Sequence, residues 1–109
     1  MNKDNTIYLE HILNSIHKIQ EYTFSISESD FQNNTMIQDA VIRQFEIIGE
    51  ATKQISVDYK SKYNTVPWKE MAGMRDKLIH NYIDVDLDVI WQTVKKDIPF
   101  LHKLILACQ

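Results

Sequence analysis

A chain of 109 residues with a formal net charge of −3 has room for one core and not two, and it lacks the broad basic surface of a general nucleic-acid coat protein. Its 44% hydrophobic and 25% charged residues are those of an ordinary globular domain spanning 1–109. The lone Cys108 allows no internal disulfide, which suits a reducing cytoplasm, and no stretch approaches the ~20 apolar residues of a membrane span.

Two glycines and two prolines leave few helix breakers. Leu9, Ile12, Leu13, Ile16 and Ile19 form a helical stripe, predicting a first helix over about 4–24. The N-terminal MNKDNTIYLEH has no apolar leader-like region. SISESD and QNNT read as a connection with one short helical turn around Phe31. Thr35 with Gln38 has the pattern of a capping box opening a second helix, whose stripe is Ile37, Val41, Phe45, Ile48, Ala51 and Ile55. Gly49 lies within that helix at roughly 1 kcal/mol below alanine, which a close helix–helix approach would explain.

VDYKSKYNTV reads as a polar linker, and Pro67 suits the first turn of a third helix. Trp68, Met71, Ala72, Leu78 and Ile79 give that helix its apolar face. Asp84 and Asp86 bracket a turn, and Asp86 can cap a fourth helix carrying Leu87, Ile90, Trp91, Val94, Ile98, Leu101 and Leu104. Pro99 removes one backbone hydrogen bond and is expected to kink it. The expectation is an all-α four-helix bundle with a kinked C-terminal helix.

The third helix carries an anomaly in RDKLIHNY, Arg75 to Tyr82. At about 100° per residue, Arg75 and Tyr82 fall in the middle of the apolar stripe. A packed stem with a snorkelling head is one reading of Arg75, with Tyr82 packed beside it. A guanidinium facing a cleft, ready to hold a phosphate bidentately, is the other. His80 falls about 140° from Arg75, so one ideal helix does not aim both at one target. Either the helix distorts, or a second copy supplies the partner across a two-fold axis.

These residues resemble the R-x4-H-x-Y motif of the HepT-like toxins, within the HEPN group of helical ribonucleases. Glu46-Ile47-Ile48-Gly49-Glu50-Ala51 resembles the EIIGEA stretch of that family's second helix. Val66-Pro67-Trp68 resembles the segment before its motif helix. Asp84-Val85-Asp86, Ile90-Trp91 and Asp97-Ile98-Pro99 resemble its downstream part.

The resemblance implies a HEPN-like homodimer whose two motifs face a common cleft, and a metal-independent endoribonuclease with no cofactor. Arg75 and His80 would be catalytic, with Asp76 positioning them. The family more often has asparagine at that position, so Asp76 adds a negative charge beside the scissile phosphate. The resemblance also implies a partner, an MntA-type minimal nucleotidyltransferase antitoxin that silences the toxin by transferring AMP to Tyr82.

The chemistry suits those side chains. Attack by the neighbouring 2′-hydroxyl needs one proton removed from it and another delivered to the departing 5′-oxygen, and histidine titrates in the range for that work. Arginine stabilises the charge that builds on the phosphorane. His11, His17 and His102 lack the spacing of metal ligands and read as surface residues. Arg43, Glu46 and Glu50 read either as a surface charge row or as a source of support for Arg75. Lys69, Lys77, Lys95 and Lys96 read as solvated surface, with an RNA path as the alternative. A competing function is a non-catalytic helical subunit that serves as a nucleotidyltransferase's substrate.

Overall fold

The computed structural model describes residues 3–74, 76 and 86–108, and every regular element among them is helical. Helix α1 (Lys3–Thr23) buries Leu9, Ile12, Ile16 and Ile19, the stripe expected of it. Its last buried polar group is satisfied locally: the Thr23 hydroxyl donates to the Ile19 carbonyl at 2.8 Å.

The connection after α1 holds a five-residue helix, α2 (Glu28–Gln32). Its capping box is formed by Ser27 and Asp30, each side chain accepting from the other's backbone N–H at 3.1 Å. Phe31 is fully buried, as the short turn predicted, with its ring centroid 5.3 Å from that of Trp91.

Helix α3 (Thr35–Gln54) begins where expected but is capped differently. Asn34 is its N-cap, accepting from the Ile37 N–H at 3.0 Å. Gln38 turns away from Thr35 and donates to the carbonyls of Phe31 and Gln32, at 2.9 and 3.1 Å. The predicted Thr35–Gln38 box is therefore replaced by a glutamine that ties the end of α2 to the start of α3. The α1–α3 pair forms the main packing of the fold around Val41, Phe45 and Ile48. Side chains of that size each contribute about 1.5–3 kcal/mol on full burial.

The stretch expected to be a linker contains a helix, α4 (Val57–Lys62), capped by Ser56 through a 3.2 Å bond from the Tyr59 N–H. None of its residues is buried, so it leaves no apolar stripe to read. Asn5 anchors the turn before it. The Asn5 amide donates to Ser56 Oγ at 3.1 Å, and its carbonyl oxygen accepts from the Ser56 N–H at 3.0 Å. Tyr59 donates its hydroxyl to the Cys108 carbonyl at 3.0 Å, linking α4 to the end of the described chain. Burial chiefly, then the neighbouring Cys108 and Tyr63, pushes the Tyr59 pKa up to about 12.

Pro67 sits just ahead of α5 (Trp68–Ala72), in the N-cap position, one residue earlier than the first-turn placement. Trp68 and Met71 are buried, and the Trp68 indole donates to the Tyr63 carbonyl at 3.0 Å. The regular helix ends at Gly73, where φ is −96° and ψ 8°, and Met74 and Asp76 are helical again. Asp86 caps α6 (Leu87–Gln92) as predicted, accepting from the Val89 N–H at 3.2 Å.

Between α6 and α7 (Ile98–Ala107) the chain makes a π-helical turn, Thr93–Asp97. The Ile98 N–H donates to the Thr93 carbonyl, five residues back. The discontinuity predicted at Pro99 thus takes the form of a widened turn just ahead of the proline. Helix α7 packs on α1 and buries Ile98, Leu101 and Ile105.

Candidate functional site

The second and third helical runs meet at Gly49. A Cβ placed there would lie 3.2 Å from the Ala72 carbonyl oxygen and 3.6 Å from that of Met71. Glycine therefore permits the close approach that its position suggested, and α5 packs directly on α3. Along this seam runs a cavity of about 370 Å³, with Gly49 and Ala72 in its lining.

Asp76 lines the same cavity, facing charged side chains of α3: Arg43, Glu46, Glu50 and Lys53. Arg43 approaches Glu46 at 3.6 Å and Lys53 approaches Glu50 at 3.9 Å, both pairs three residues apart on one helix. The charge row of α3 is thus real, and it borders the cavity that Asp76 lines. Such exposed pairs are worth under about 1 kcal/mol each, so they shape the local field more than they hold the fold. Among the described residues that line it, three are carboxylates and two are cations.

Of the predicted site residues, Asp76 is thereby placed, exposed at the cavity edge. Arg75, His80 and Tyr82 lie outside the described residues, as do Lys77, Leu78, Ile79 and Asp84. The interruption at Gly73 still bears on the angular reading of the sequence. Phases of Trp68, Met71 and Ala72 do not carry unbroken to Arg75, because regular helix stops between them.

A second cavity, of about 390 Å³, adjoins Met74 and is bounded on the other side by Val89, Gln92 and Lys96 of α6 and the π turn. Lys96 thus shares a cavity with Met74, whereas Lys95 has structural work. Its ammonium donates to the Thr23 carbonyl at 3.1 Å and sits 4.7 Å from the Trp91 ring centroid. It caps the end of α1 and packs on an aromatic face. His17 and His102, read from the sequence as separate surface residues, meet across α1 and α7 with Nε2 atoms 3.3 Å apart. Nothing in their sequence spacing could have shown this.

The family model described as ribonuclease HepT-like matches residues 12–107, a span that contains the whole motif and both cavity walls. The chain belongs to the HepT-like ribonuclease family. This HepT-like chain is 50% identical over 101 residues to a Thermococcus cleftensis protein named "Probable ribonuclease HepT", covering 93% of this chain and 92% of that one. It is 55% identical over 106 residues to a Methanocaldococcus jannaschii protein whose name couples gamma-glutamylcyclotransferase with a candidate RNase. That alignment takes in 97% of the chain but spans only about half, 48%, of that relative's length.

Among solved structures, the fold is similar to a tri-AMPylated HEPN toxin of Shewanella oneidensis in complex with an MNT antitoxin. The TM-score is 0.67 at 20% identity, covering 96% of each chain. The all-α HEPN architecture expected from the sequence is therefore the one observed. Among the described residues, no helix is long and apolar enough to cross a membrane.

Proposed function

We propose that this HepT-like chain is a metal-independent endoribonuclease toxin, acting in the cytoplasm as a homodimer whose two motifs share a cleft. The observation that carries the reading is the family match across the motif segment, joined to the placement of Asp76 on a charged cavity against α3.

In this reading His80 moves the proton between the 2′-hydroxyl, the departing 5′-oxygen and solvent, a contribution of about 10²–10⁴-fold. Arg75 holds the non-bridging phosphate oxygens as charge develops on them. Asp76 orients both side chains. The products are a 2′,3′-cyclic phosphate and a free 5′-hydroxyl, so atoms balance without an added reactant.

The partner is a minimal nucleotidyltransferase antitoxin that transfers AMP from ATP to the Tyr82 hydroxyl, releasing pyrophosphate. The solved structural neighbour, a tri-AMPylated toxin with an MNT antitoxin, supports that assignment by analogy of fold. An adenylate on Tyr82, seven residues along from Arg75, would occupy the phosphate site and repel RNA.

A second reading, a non-catalytic subunit that only serves as the nucleotidyltransferase's substrate, is favoured by the chain's net charge of −3 and by the acidic Asp76 within the motif. One experiment separates the two. Purified chain, confirmed by mass to carry no adduct, is incubated with RNA in EDTA beside Arg75→Ala and His80→Ala variants. Cleavage by the parent alone, leaving cyclic phosphate ends, supports the nuclease. An inert, unmodified parent that is still AMPylated by its antitoxin supports the second reading.

A further inference from the structure

His17 and His102 are 85 positions apart in the chain, yet their Nε2 atoms lie 3.3 Å from each other. The rings meet edge to face, with centroids 5.0 Å apart and planes at 90°. His17 is exposed on α1 and His102 is half-buried on α7, so each ring is carried by a helix whose other face is fixed in the core.

In the metal-free protein the two nitrogens make a hydrogen bond just past the long end of the usual range of about 2.7–3.2 Å, one ring donating and the other accepting. The same separation also suits two ligands of one tetrahedral zinc ion. With Zn–N bonds of about 2.0–2.1 Å, two imidazole nitrogens on one ion stand about 3.3–3.4 Å apart.

We propose that His17 and His102 form a two-histidine site for a divalent transition-metal ion such as zinc or nickel, fastening α7 to α1. Among the described residues no group of three His, Cys, Asp or Glu is placed to hold a metal, so solvent completes the coordination sphere. The site is accordingly weaker than a four-ligand structural zinc centre and exchanges its ion with the medium. His17 opens onto a depression of about 760 Å³ that Glu21 and Phe24 also line, which gives the ion and its waters a route in. Glu21 and Lys18 line that depression with opposite charges, leaving the approach to the histidines close to neutral. The inference stands apart from the ribonuclease reading, since neither histidine belongs to the motif or its cavity.

The test is thermal unfolding of tag-free protein with zinc chloride or nickel sulfate alone, reversed by EDTA. Metal at 100 times its Kd raises the folding constant about 100-fold, read as a higher Tm. The rise is lost in His17→Gln and in His102→Gln and kept in His11→Gln and His80→Ala. In proton NMR, substoichiometric nickel broadens the imidazole signals of His17 and His102 and leaves His11 sharp. A Tm rise of equal size in the two site variants, no rise in the parent, or broadening confined to other histidines would overturn the proposal.

Discussion

Replacing Gly49 with alanine sets two opposed effects against each other. Alanine in a helix interior gains roughly 1 kcal/mol over glycine. The new methyl, however, would stand 3.2 Å from the Ala72 carbonyl oxygen, a backbone atom that cannot swing aside, so α5 must retreat by a few tenths of an ångström. Overpacking of this kind costs about 1–3 kcal/mol, and the small displacement points to the lower end. The expected net change in stability is therefore between zero and about 1 kcal/mol of loss, measured by urea denaturation at constant m. The functional effect is larger in proportion, because α5 directly precedes Asp76 and the motif in the chain. A 1 Å misplacement can cost about 100-fold in rate, so a shift of tenths should lower kcat/KM for RNA cleavage about three- to tenfold. Gly49→Val, with two more carbons and a stiff branch, should fail on both measures. If Gly49→Ala gains the full 1 kcal/mol and cleaves RNA at the parental rate, the α3–α5 approach does not position the motif.

Asp76→Asn removes one negative charge from the residue next to Arg75, the proposed phosphate ligand, so RNA cleavage should rise by up to about tenfold, read as initial rates at fixed salt. Gln44→Met should raise unfolding stability by about 1 kcal/mol, because Gln44 Oε1 is buried without a hydrogen-bond partner and methionine fills a similar volume. Lys95→Met should lower stability by about 1 kcal/mol through loss of the Thr23 cap and the Trp91 contact, while KM for RNA stays unchanged. The Tyr59 pKa is raised from 10.0 to about 12, so its share of stability is fully present below pH 10 and is lost as pH rises toward 12. In Tyr59→Phe, alkaline denaturation curves should be flatter across that window.

The parts of the fold that were legible in the sequence are those where one helix face is buried along its length. The stripes of α1 and α3 gave both helices to within about a residue, and Asp86 announced its cap because an acidic side chain stood just ahead of an apolar run. Helix α4 was missed because Tyr59 is the one apolar side chain it packs against the core, and a single contact has no period to detect. The cap of α3 was misplaced by one residue because Asn34 and Thr35 are both good caps, and Gln38 had two helices to choose between. The π turn was invisible for a different reason: Val94, Ile98 and Leu101 keep an acceptable stripe under ordinary helical spacing. For the site, the spacing of Arg75 and His80 spoke through motif resemblance, and both residues lie outside the described residues. The contact of His17 with His102 depends on how α7 crosses α1, which no local pattern encodes.

The widened turn at Thr93–Asp97 has a meaning for the history of the chain. Such a turn takes up one residue more than an ordinary turn, so the helix after it is rotated by roughly 100° relative to an uninterrupted one. Helix α6 can thereby present Trp91 to Phe31 while α7 turns Leu101 and Ile105 toward its own neighbours. A single-codon insertion can be absorbed in this way without disturbing either flank, and a later deletion within these five residues would have to be compensated in α7. Length variation among relatives should therefore collect in this turn, leaving α3, where Gly49 meets α5, fixed in length.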